Sequence, residues 1–140
     1  MSDLLLLVHA AATWFMVGLI WFVQVVHYPL FADVGVAGWT AYADRHRSRT
    51  TLVVGPVMLV ELATAAAIAL DPPEGGRVLA WAGLALVGVV WLSTGLVQVP
   101  LHGRVAGEPE PRLIRALVLT NWLRTAAWTA RGVLALLLIG

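Results

Sequence analysis

A chain of 140 residues fits a single domain, and its 60% hydrophobic and 12% charged content departs from the ~45–50% and ~25% typical of soluble domains. It has no cysteine and no lysine. That excludes disulfides, thiolate metal sites and dithiol redox chemistry, and a Schiff base to retinal or a carbonyl substrate. The formal net charge is +1, and no basic patch interleaved with aromatics points to nucleic acid.

Four apolar runs, at about 4–27, 51–70, 78–99 and 113–139, are each long enough to cross a bilayer, for which about 20 residues suffice. The expected fold is all-α: an integral membrane four-helix bundle, up-down-up-down, forming one domain over 1–140. The first run is longer than the roughly 7–15-residue core of a signal peptide and lacks a basic start or an A-x-A site, so it is expected to stay in the mature chain. Arg45, Arg47 and Arg49 follow the first span, and Arg104 lies between the last two with Arg112 and Arg115 at the start of the fourth; only Arg77 lies on the other side. By the positive-inside rule the chain sits in a bacterial inner membrane with both termini outside.

In span one, His9, Thr13, Gln24 and His27 share a narrow arc at 100° per residue, while Trp14 and Trp21 fall on another face. The helix is expected to end at His27-Tyr28-Pro29, because the residue before proline avoids the α region. Beyond Gly35 and Gly38, Trp39, Tyr42, His46 and Arg49 recur at helical spacing, which predicts a cytoplasmic amphipathic helix running towards span two. Gly55-Pro56 is then expected to bend the chain.

Span two carries Glu61 near mid-membrane, and the Asp71 to Gly76 stretch reads as a tight external turn. In span three, Trp91, Thr94 and Gln98 share a face just before Pro100 and His102, and Gly103 to Pro111 reads as a polar loop. Span four sets Asn121, Arg124, Thr125, Trp128 and Arg131 on one side. An arginine at bilayer depth costs at least roughly 2.5–3.5 kcal/mol, so something must compensate it. Counting depth from the ends of the apolar runs pairs Arg124 with Glu61.

The candidate site gathers these groups. Glu61, His27, His46 and His102 are candidate acid, base or ligand groups; Gln24, Tyr28, Tyr42, Arg49, Gln98, Asn121 and Arg124 are candidate contacts to a bound molecule. Any one of them taken alone is ordinary interhelical glue, worth roughly 0.6–2 kcal/mol. Together they exceed what so small a bundle needs, and ionisable residues inside a membrane are functional candidates. Three chemistries stay open. His27, His46 and His102 could ligate a metal with Glu61 as carboxylate ligand or base. His9 or His27 could be an axial haem ligand, with Arg49 or Arg124 on the propionates. Alternatively, a metal-free pocket could bind a quinone-like or other lipophile for proton-coupled oxidoreductase or isomerase chemistry. The competing class is a non-catalytic scaffold that packs against copies of itself or a larger membrane complex. The partners expected are therefore the lipid bilayer and a small lipophilic molecule.

Two resemblances bear on this. The run His9, Trp14-Phe15, Gly18-Leu19, then Tyr42, Arg49, Gly55-Pro56 and Met58, resembles the HemJ-type protoporphyrinogen oxidases, which implies haem on His9. That family's functional lysine has no counterpart here, so its substrate and activity are not carried over. Tyr28-Pro29-Leu30-Phe31 and Asn121-Trp122-Leu123-Arg124-Thr125 are similar to segments of the anthrone-oxygenase-like membrane families, which implies the lipophile chemistry.

Overall fold

The structure is a computed structural model that describes residues 2–107 and 109–140; Glu108, within the expected polar loop, lies outside them. Its helices are α1 (Asp3–Phe22), α2 (Trp39–Leu70), α3 (Arg77–Ser93), α4 (Val99–Gly107) and α5 (Pro111–Ile139). Four stretches, Asp3–Asp33, Trp39–Leu70, Arg77–Gly107 and Pro111–Ile139, are long and apolar enough to cross a membrane.

The chain's local signals explain the element ends. α1 does not stop cleanly. It widens into a π-helical turn, Val23–His27, and then tightens into a 3-10 turn, Pro29–Asp33, with Pro29 at its start. Span three repeats the device: a π-helical turn, Thr94–Gln98, joins α3 to α4 just ahead of Pro100. Such π turns insert one extra residue per turn and are often found at functional sites. Here each one turns a glutamine, Gln24 or Gln98, into the interior. Gly38 adopts φ 95° at the start of α2, a left-handed conformation that glycine takes at no steric cost. α5 opens on Pro111, whose missing N–H is no loss in a first turn.

α1, α2, α3 and α5 stand at the corners of a square, with α1 and α3 each packed on both α2 and α5. α2 and α5 therefore face one another across the diagonal. Aliphatic side chains such as Leu7, Leu59, Leu92 and Leu123 point outwards, where a bilayer solvates them as well as protein does. Close packing then has to hold the helices together. At Gly132 an added Cβ would lie 3.2 Å from Val17 Cγ2 and 3.3 Å from Trp14, so α1 and α5 meet at a glycine.

The polar faces of all four spans turn inwards. His9, Thr13, Gln24, Glu61, Thr64, Ser93, Gln98, Asn121, Arg124, Thr125 and Arg131 are all buried. The amphipathic stretch and span two are one continuous helix through Pro56. Two sequence expectations need correction. The expected loop after span three is helical as far as Gly107, because α4 continues past Pro100. Arg49 is exposed rather than part of the interior polar set.

Candidate functional site

The interior polar groups fall into three tiers along the bundle axis. The tier nearest the α5 C-terminus is a closed ion pair. Arg131 hydrogen-bonds Glu61 Oε1 across the diagonal, with both side chains buried. Trp128 donates its indole N–H to Glu61 Oε2 at 3.0 Å. Both carboxylate oxygens are thus occupied. Beside them His9 Nδ1 lies 2.8 Å from Thr64 Oγ1.

The expected Glu61–Arg124 pair is therefore replaced by Glu61–Arg131, and helix length gives the reason. At 1.5 Å per residue, Glu61 stands roughly 33 Å from the start of α2 at Trp39, and Arg131 stands roughly 30 Å from Pro111. Arg124 reaches only roughly 20 Å. Apolar runs alone hide the helical turns before residue 51, and those turns set the register.

The middle tier is an amide and hydroxyl network. Gln24 donates to the Val118 carbonyl at 3.0 Å, while its Oε1 accepts from Asn121 Nδ2 at 2.9 Å and from Thr125 Oγ1 at 3.3 Å. Gln98 donates to Thr120 Oγ1 at 2.9 Å. Gln98 Oε1, Asn121 Oδ1 and Arg124 Nε find no hydrogen-bond partner among the described residues. Arg124 itself is 6% exposed. Its guanidinium carbon lies 5.2 Å from the centre of the Trp128 ring, and the phenol of Tyr28 interacts with it. Among the described residues no carboxylate lies within ion-pair distance of it.

The third tier, at the other end, holds His27, His46 and His102, brought together from three different spans. His27 Nε2 and His46 Nδ1 are 2.9 Å apart, and Thr50 Oγ1 is 3.3 Å from the same His46 nitrogen. The His46 and His102 rings stack at 5.6 Å with 14° between planes. His102 Nδ1 donates to the Gln98 carbonyl at 2.8 Å. Because a carbonyl only accepts, the proton sits on Nδ1 and Nε2 keeps a free lone pair. Phe31 sets its edge against His27 and His46 at 5.2 and 5.1 Å, and Tyr28 lies 5.3 Å from His102. Tyr42 joins this aromatic wall through Phe31 and Trp39 rather than the polar network. Among the described residues no group of three or more His, Asp or Glu side chains is disposed to hold a metal ion. Glu61 belongs to the far tier, so it cannot complete a site with the histidines.

Haem does not fit on His9. The cavity beside it, bounded by Ile68, Ala80, Gly83 and Arg131, measures about 10 Å³, room for a water-sized molecule and not for a macrocycle. A larger concavity of about 420 Å³ opens outwards between α1 and α5, lined by Trp21, Trp122, Thr125, Thr129 and Val133. It is bounded mainly by apolar atoms, and Trp21 donates to Thr129 at its edge.

Composition had already marked Gln24, His27, Tyr28, His46, Gln98, His102, Asn121 and Arg124, and all of them lie in the two tiers nearest the histidine end. Thr64 and Thr120 were missed. Their signal was present, since Thr64 follows Glu61 by one helical turn and Thr120 precedes Arg124 by one. Threonine is too common in membrane helices to stand out by itself. Comparison with protein-family models, with curated proteins and with solved structures finds no match.

Proposed function

We propose that this chain is a membrane-embedded enzyme of oxidoreductase or isomerase type that holds a lipophilic molecule by an anionic or carbonyl head group at Arg124. One observation carries the reading: a deeply buried guanidinium with no carboxylate partner among the described residues. Arg131 shows how this bundle neutralises an arginine whose role is structural, and Arg124 is not treated that way. A ring face offsets part of its charge, by about 0.5–2 kcal/mol, which is less than the insertion cost of the group. An anion or polarised carbonyl would supply the rest. Tyr28 and the unpartnered oxygens and N–H of the middle tier would orient the head group, and the histidines beside Tyr28 would move its protons. The groove between α1 and α5 has the volume of a small-ligand site and lies against Thr125, next to Arg124 in the chain.

Binding of decanoate and of decylubiquinone to the protein in maltoside micelles tests the reading. At least one should bind and raise the melting temperature, and Arg124→Gln should weaken that binding at least tenfold while the protein stays folded. Equal binding by the parent and by Arg124→Gln, or none by either, would sink the proposal.

A further inference from the structure

We propose that the small cavity beside His9 is a binding site for one water molecule, which accepts from the Arg131 guanidinium and donates to His9 Nε2. The site belongs to the tier around Glu61 and depends neither on Arg124 nor on what Arg124 binds.

Arg131 spends an N–H of Nη1 on Glu61 Oε1, while its Nε and Nη2 find no hydrogen-bond partner among the described residues. The residue is 2% exposed, so bulk water does not reach them. Buried donors without partners are costly, and in a native interior they point to an ordered water or an ion. Arg131 borders a cavity of about 10 Å³, close to the least space that holds one water. His9, also buried, borders the same cavity. Its Nδ1 faces Thr64 Oγ1, whose only hydrogen goes to the Val60 carbonyl. Nδ1 therefore carries the ring proton and Nε2 is an acceptor. A buried water needs two to four polar partners, and two guanidinium donors with one imidazole acceptor supply three.

Charge selects water over an anion. Glu61 already neutralises Arg131, and the lone pair of an imidazole repels a negative ion. Size excludes the head group of a lipophile, and Ile68, Ala80 and Leu134 wall the rest of the cavity with apolar side chains. Arg131 thus offers its spare N–H groups to a solvent molecule and not to a second lipophile. Gly83 gives access to the site from the other side. It is buried on α3 and borders the cavity, yet an added Cβ would meet no atom within 4 Å. A small side chain at Gly83 therefore takes the water's space without a clash.

The test uses the whole chain in maltoside micelles. In the parent, NMR cross-relaxation should connect the Arg131 Nε–H to water protons, and this signal should be lost in Gly83→Ala. Melting temperatures supply the sign. Gly83→Ala displaces the water and strands its partners, whereas the hydroxyl of Gly83→Ser can take the water's place. Gly83→Ser should therefore melt above Gly83→Ala. Alanine is the better helix former of the two, so propensity works against this order. Gly88→Ala lies on another face of α3, where an added Cβ also has room, and reports the gain from propensity alone. It should melt above Gly83→Ala and keep the water signal at Arg131. No water contact at Arg131 in the folded parent would overturn the site without any variant. Gly83→Ala melting above both Gly83→Ser and Gly88→Ala would show a dry cavity and overturn it too. A proton on His9 Nε2 would set three donors around one space, which suits an anion and not water.

Discussion

The two ends of the buried polar column solve the same problem in opposite ways. Around Glu61 the charges are paired: Arg131 and Trp128 occupy both carboxylate oxygens, while Arg131 Nε and Nη2 find no hydrogen-bond partner among the described residues. Around Arg124, the positive charge rests against a tryptophan face and a phenol, next to imidazoles and amides with atoms to spare. Trp128 belongs to both, since one ring edge donates to Glu61 while a ring face carries Arg124. A closed pair across the diagonal serves as a lock between α2 and α5, whose backbones stay apart and which meet only through side chains. The open charge is the one to which the proposed function gives a ligand. The contrast separates the residues that hold the bundle from those that give it something to do.

The sharpest way to break the contrast is to remove each arginine in turn. Taking one partner from a buried pair costs about 3–5 kcal/mol, because the other charge is stranded. Glu61→Gln and Arg131→Gln should each destabilise the bundle by that amount, and the double variant by less than their sum, with a coupling of roughly 0.5–3 kcal/mol. Arg124→Gln strands no carboxylate, so its stability cost should stay within the about 2 kcal/mol of a lost cation–π contact. Reversible unfolding in mixed micelles, followed by circular dichroism, measures all four. If Arg124→Gln costs as much as Arg131→Gln, the open charge is a structural one and the division fails.

An intermediate effect is expected at the residue common to both halves. Trp128→Phe keeps a ring beneath Arg124 and deletes the indole N–H together with the fused five-membered ring. The loss should be about 1–3 kcal/mol for leaving a charged acceptor short of a donor, with a further cost for the space the smaller ring leaves in a fully buried position. Lipophile binding at Arg124 should persist. If the variant abolishes that binding while melting normally, the two halves are coupled more tightly than the geometry implies.

The same division decides what could be read in the residues beforehand. The four spans and the inward polar stripe follow from hydropathy and 3.6-residue periodicity, so Gln24, His27, Gln98, His102, Asn121 and Arg124 were visible as one inward set. The pairing of Glu61 was not. It depends on how far α2 extends below its apolar run, and the residues from Trp39 to Arg49 read as a separate helix because their surface is polar. The π turns at Val23–His27 and Thr94–Gln98 were also hidden, since a one-residue widening leaves no compositional trace. Both were nonetheless marked indirectly, by a glutamine followed within five residues by proline and histidine.

The smallest expected effect lies at His9, and it tests whether the closed end is closed throughout. Thr64 Oγ1 donates to the Val60 carbonyl at 2.7 Å, which uses its only proton. It must then accept from His9, so Nδ1 of that ring carries the hydrogen and Nε2 the lone pair. Thr64→Ser keeps the hydroxyl and should be nearly silent. Thr64→Val removes it and should cost roughly 0.6–2 kcal/mol, the range for one polar contact between membrane helices. Nitrogen NMR of labelled His9 should show the proton on Nδ1 in the parent and in Thr64→Ser, with the tautomer balance shifted in Thr64→Val. A parent tautomer with the proton on Nε2 would reverse the direction of this hydrogen bond, and His9 would then have a donor to offer in the small cavity it shares with Arg131. In that case His9 would add a donor to the Arg131 Nε and Nη2 that already find no hydrogen-bond partner among the described residues at the Glu61 end, and the assignment of one end to locking and the other to binding would rest on the pairing of charges alone.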